Sequence, residues 1–151
     1  MLGAIIYIME QKELDEYWDT LKTTVKPLEE GDQRKISYTF CLMVEKELDD
    51  IGKRALQLVE KLTLNQGTLQ KSKLLQKKLQ DKLPKDEASV YSPLIWALEP
   101  HTNSYPVWYS AGIAGLNLVD LKVATLPELT KLTKAVVSKL NPDACNTGLP
   151  K

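Results

Sequence analysis

Between Cys41 and Leu62 the apolar residues recur at alternating steps of three and four: Cys41, Val44, Leu48, Ile51, Ala55, Leu58 and Leu62. That spacing keeps one seam on one side of an α-helix, and Leu42, Leu56 and Val59 widen it enough to meet several neighbours. The opposite side carries Glu45, Lys46, Glu47, Asp49, Asp50, Lys53 and Arg54. Asp49–Lys53 and Asp50–Arg54 are acid-first pairs four residues apart, the favourable order on an exposed helix. Gly31 breaks the preceding segment and Asp32 is a suitable N-cap. The pattern therefore predicts one long helix from about Gln33 to Leu62, with the rest of the chain bundled around it.

The flanking segments repeat the helical period. Leu14, Trp18, Leu21 and Val25 share a face of a helix predicted over Glu10–Val25, which Pro27 ends or kinks. Asn65-Gln66-Gly67 is a turn signature, and Thr68 caps a helix over Leu69–Leu83, closed by Pro84. Asp86–Leu98 reads as another helix or a pair of turns, with Ser92-Pro93 as cap and first position and Pro100 as its stop. Asn117–Val123 alternates loosely, as a turn of helix or a brief extended piece. Thr125, Pro127 and Glu128 open a last helix with Leu129, Leu132, Val136 and Leu140 on its apolar face; Asn141-Pro142 ends it. Leu2–Ile8 is apolar and β-branched; with no strand elsewhere to pair with, it reads as a lead-in packed on the bundle, intermolecular strand pairing being the alternative. The expected fold is all-α: a single-domain bundle of five or six helices over residues 10–141, with an apolar N-terminal lead-in (1–9) and a mobile C-terminal tail (142–151).

Composition narrows the class. A chain of 151 residues with 43% hydrophobic and 26% charged residues can bury a core and is not disordered throughout. Formal charge is zero, yet 13 acids against 9 bases lie at or before Asn65 and 7 against 11 after it, so −4 is followed by +4. Two solvated faces account for this, as does a dipolar molecule suited to head-to-tail self-association or to an acidic partner. Cys41 falls on the apolar seam as a small hydrophobe and Cys145 in the polar tail. With no C-x-x-C or Cys/His spacing, no zinc site is expected. The opening run is too short to span a bilayer and lacks a basic lead, so no membrane association and a cytoplasmic or otherwise intracellular setting are expected.

Three features carry candidate function. Lys71, Lys73, Lys77, Lys78 and Lys82, with Lys85, surround the leucine stripe Leu75, Leu79 and Leu83, and would neutralise phosphates in a salt-sensitive nucleic-acid complex. Lys131, Lys134 and Lys139 would extend the patch if the two helices are neighbours. Solvated lysines on an amphipathic helix explain the same residues, and no aromatic residues interleave for base stacking.

The second feature is aromatic. Half of the ten aromatic residues (Tyr91, Trp96, Tyr105, Trp108 and Tyr109) fall between positions 91 and 109, around the loop Pro100–Pro106 that holds the one histidine, His101. Either the tryptophans complete the core while Gly112 and Gly115 admit a neighbouring helix, or Tyr105, Trp108, Tyr109 and His101 form a partner-binding surface. Gly112 and Gly115 lack the third glycine and preceding strand of a dinucleotide site.

The third is the acidic run Glu13, Asp15, Glu16 and Asp19, which reads as a solvated face, since neither a histidine nor a calcium-loop spacing joins it. Any acid–base chemistry rests on His101, with Ser104, Tyr105 and Asp120 as conceivable neighbours, and no P-loop, G-x-S-x-G or HExxH motif supports it. The expectation is a non-enzymatic interaction or assembly subunit with a protein partner or a second copy, no catalytic residues, metal, cofactor or small-molecule substrate, and nucleic-acid binding through the lysine helix as the alternative.

Overall fold

The computed structural model describes residues 2–84 and 89–140, with side chains from residue 10 onward. The described chain is helical, without strands. In order come α1 (Leu2–Thr20), closed by a wide turn of five-residue hydrogen bonding at Leu21–Val25, then α2 (Glu30–Leu42), a 3₁₀ turn (Glu45–Glu47), α3 (Asp50–Thr63), α4 (Leu69–Asp81), α5 (Tyr91–Ala97), α6 (Val107–Asp120) and α7 (Leu126–Leu140). α1 runs back to Leu2, so the apolar lead-in is helical and the strand alternative is set aside. Near Pro27, Thr23 and Thr24 donate to the carbonyls of Asp19 (2.8 Å) and Thr20 (2.6 Å). Such back-bonding competes with the helix's own ladder where it widens. The C-terminal tail, with Cys145 and the Asn141-Pro142 stop, and Lys85 lie outside the described residues.

The single helix expected over Gln33–Leu62 is two helices joined by a turn. The seam is nonetheless buried: Cys41, Val44, Leu48, Ala55 and Leu58 lie in the core, with Ile51 and Leu62 packed against it. α2 ends at Leu42, and α3 starts afresh at Asp49, whose extended backbone and Oδ1, accepting the Gly52 N–H at 3.0 Å, make it the N-cap. Its Oδ2 accepts from Tyr91 Oη and lies 4.0 Å from Lys82 Nζ. Asp49 is thus spent on α4 and α5 rather than on the expected pair with Lys53. The hub of the bundle is α2 alone, which packs against α3, α5, α6 and α7.

The other starts and stops are partly as the sequence reads. Thr68 Oγ1 accepts the Lys71 N–H at 3.2 Å. Thr125 Oγ1 accepts the Glu128 N–H (3.3 Å) and donates to Glu128 Oε1 (3.0 Å), a capping arrangement at the mouth of α7. Asn65 and Gly67 both have positive φ, as the turn requires. Asp32, by contrast, is not a cap: it lies inside α2, 3.0 Å from Lys35. α5 starts at Tyr91, two residues before Pro93, with Ser89 Oγ accepting the Tyr91 N–H at 3.2 Å. Asn117–Asp120 is the last turn of α6, and 121–123 form the turn that ends it, marked by the positive φ of Lys122 and the Val123 N–H bonding back to Leu118 O at 3.0 Å.

Candidate interaction surface

The aromatic side chains gather from three helices and the loop before α6 into one run. Trp96 of α5 packs on Tyr105 (ring centroids 5.6 Å apart), Tyr105 on Tyr109 (6.2 Å), Tyr109 on Trp18 of α1 (5.2 Å, nearly parallel), and Trp18 on Trp108 (6.4 Å, edge to face). Lys26 Nζ closes the far end, 5.7 Å from the Trp108 ring centre. The three tryptophans are half-buried, whereas Tyr105 keeps 42% and Tyr109 36% of its surface in water.

Glycine makes this assembly possible. A Cβ on Gly112 would overlap the Trp18 ring, and one on Gly115 the Tyr17 hydroxyl. Both readings of the segment therefore hold in part: the glycines admit α1, and the tyrosines remain outside. Trp18 was visible in the sequence only as an apolar position of α1; its place in the run depends on how α1 crosses α6.

His101 stands at the N-terminal end of α6, exposed, with Nδ1 accepting the Val107 N–H at 3.2 Å. That bond leaves the proton of the neutral ring on Nε2. Asp120 is at the far end of the same helix, about 20 Å away at 1.5 Å per residue, so it is no neighbour of His101.

The lysines of α4 are all exposed. Ser72, Gln76 and Leu79 turn inward, placing Lys71 and Lys78 on one flank and Lys73 and Lys77 on the other. Lys82 leans toward Asp49. The conjectured extension to Lys131, Lys134 and Lys139 does not form, because α4 packs on α3 and α5 while α7 packs on α1 and α2. Nor does the charge offset along the chain become a simple spatial dipole: basic α7 lies against acidic α1, with Lys134 Nζ 4.0 Å from Glu16.

A polar network missed in the sequence lies between α2, α4 and α5. Arg34, only 7% exposed, donates to Ala97 O (3.2 Å), Glu99 O (3.5 Å) and Glu30 Oε1 (3.2 Å). Gln76 donates to Ile95 O at 3.0 Å and to Glu99 Oε2. Burial lowers the pKa of Arg34, partly offset by the charge and hydrogen bond of Glu30. These side chains satisfy the C-terminal carbonyls of α5, which a short helix leaves open. They also line a cleft of about 760 Å³ with Ser72, Lys73 and His101. No sequence motif marks the network, since Glu30 and Arg34 come from α2, Gln76 from α4 and Glu99 from the segment after α5.

Among the described residues, no group of three His, Cys, Asp or Glu side chains is placed to hold a metal ion, and no helix is long and apolar enough to cross a membrane. No protein family, curated protein or solved structure matches this chain.

Proposed function

We propose that the protein is a non-enzymatic interaction or assembly subunit that holds a protein partner on the aromatic run from Trp96 to Trp108. The observation that carries this reading is the exposure of Tyr105 and Tyr109 in the middle of five mutually packed rings. Tyrosine and tryptophan offer wide apolar faces with a polar tip, and such residues anchor interfaces out of proportion to their number. Rings already packed on one another lose little rotamer freedom when a partner covers them, which lowers the cost of association. The commitment of His101 Nδ1 to the backbone, and the distance to Asp120, support the non-enzymatic part of the reading. An intracellular setting belongs to the same proposal and rests on the thiol of Cys41, buried and free among the described residues.

The test compares the wild-type chain with Tyr105→Ala/Tyr109→Ala, both shown to be folded by circular dichroism. Light scattering reads self-association, and affinity capture followed by mass spectrometry reads other protein partners. Association present in the wild type and lost in the variant supports the proposal. It is overturned when neither self-association nor partner capture changes in the variant, and likewise when the variant unfolds, since the tyrosines are then core. Single-stranded RNA binding that weakens steeply with salt, and is lost in Lys77→Glu/Lys78→Glu, transfers the function to α4 instead.

A further inference from the structure

Two other surfaces are opposite in charge, and each has an apolar centre. The first is a ridge on the outer side of α4. Leu74, 57% exposed, has Lys71 three residues before it and Lys77 and Lys78 three and four after it, so an apolar side chain stands in a ring of three cations. The second is a groove of about 640 Å³ between α1 and the α6–α7 turn. Leu14, Val119, Val123 and Leu126 line it with apolar surface. Glu10, Glu13 and Glu128 also line it, against a single cation, Lys122. None of the three carboxylates forms an ion pair among the described residues.

The ridge belongs to a helix packed on α3 and α5, whereas the groove is walled by α1, α6 and α7. One molecule therefore cannot bring its own ridge to its own groove, but a second copy can. We propose that the α4 ridge of one copy seats in the acidic groove of the next, Leu74 entering the apolar floor while the lysines meet the glutamates of the rim. Ridge and groove are different surfaces, so the contact is head-to-tail and, unless the rotation closes a ring, propagates into a chain of subunits. The interface uses neither Tyr105 nor Tyr109, so it stands or falls separately from the aromatic surface.

The experiment is light scattering and sedimentation on the full chain over a concentration series, at low salt and at about 1 M salt, where the screening length is about 3 Å. The wild type is expected to grow in mass with concentration at low salt and to shrink toward the monomer at high salt. Leu74→Gln/Lys78→Gln removes the ridge and leaves the groove. Val123→Arg, at a residue 39% exposed, blocks the groove and leaves the ridge. Each variant alone is expected to be monomeric. An equimolar mixture is expected to give a dimer that grows no further, because one good ridge meets one good groove. A wild type that stays monomeric at low salt overturns the proposal. So do variants that associate like the wild type, and a mixture that stays monomeric. Association lost with Tyr105→Ala/Tyr109→Ala but kept in both ridge and groove variants overturns it too, and assigns the contact to the aromatic run.

Discussion

The hydroxyl of Tyr17 donates to the carbonyl of Gly112 at 2.7 Å, and it can do so only because Gly115, three residues further along α6, has no side chain. Tyr17 is fully buried, and burial pushes its phenol pKa up, so it stays neutral and keeps donating. This contact holds α1 against α6 and thereby sets Trp18 beside Tyr109. Gly115→Ala is expected to destabilise the protein by about 1–3 kcal/mol, the usual range for overpacking. Tyr17→Phe should cost about 1 kcal/mol for the lost hydrogen bond. In the Tyr17→Phe background the alanine has more room, so its cost should fall. Urea titration of the double-mutant cycle checks this, and strictly additive costs would show that hydroxyl and glycine are not coupled.

Arg34 holds the end of α5 from α2. Arg34→Met keeps much of the volume but leaves the Ala97 and Glu99 carbonyls without their donor. The expected loss is about 2–3 kcal/mol, as for buried hydrogen bonds to a charged group. Arg34→Lys should recover little, because one ammonium cannot reproduce the spread of a guanidinium. Full recovery by lysine in thermal or urea unfolding would argue that charge, rather than fork geometry, is what matters.

The Tyr91–Asp49 hydrogen bond makes the link between α3 and α5 depend on pH. The bond to Asp49 pushes the Tyr91 pKa up from 10.0 to about 12, and the same bond, with the Gly52 N–H, draws Asp49 below 3.8. A raised phenol pKa stabilises the fold fully below pH 10.0, and that contribution fades as pH climbs through about 12. A lowered carboxyl pKa stabilises it above pH 3.8, and that contribution fades as pH falls through the depressed value. The stability gap between wild type and Tyr91→Phe should therefore be widest and flat between those limits and shrink at both ends. The bond lies at an exposed position, so the gap is small; a gap that does not vary with pH would show that the bond is not made in solution.

Cys41 sits in the core with its thiol pKa raised by burial, so the thiolate needed for reaction is scarce in the folded chain. In Cys145→Ser, where Cys41 is the remaining thiol, labelling by a disulfide reagent should be slow in buffer and immediate in denaturant. Rapid labelling of the folded variant would show that α2 opens far more readily than its burial implies.

Much of the architecture was legible in local patterns because its causes are local. The period of three and four placed Cys41, Val44, Leu48, Ala55 and Leu58 in the core, and Thr68 and Thr125 cap their helices as their positions suggest. The break between Leu42 and Asp49 was not legible. The apolar period continues through it, and besides capping α3 Asp49 takes two partners, Tyr91 and Lys82, that are reached only across the fold. The same holds for the candidate surface. The sequence shows Tyr105, Trp108 and Tyr109 close together but not that Trp96 and Trp18 join them.

By itself, then, the amino-acid sequence determined the helical class, the buried seam, the turn at Asn65–Gly67 and several helix starts. Each of these depends on residues within about one or two helical turns of one another. Only the tertiary structure decided that the central segment is two helices and that the lysines of α4 and α7 lie apart. It alone decided that Arg34 and Gln76 close α5, and that five aromatic rings from three helices and a loop form one run. Those outcomes depend on how closely helices approach, and that distance is set by side chains such as the missing ones of Gly112 and Gly115, whose partners are distant in sequence.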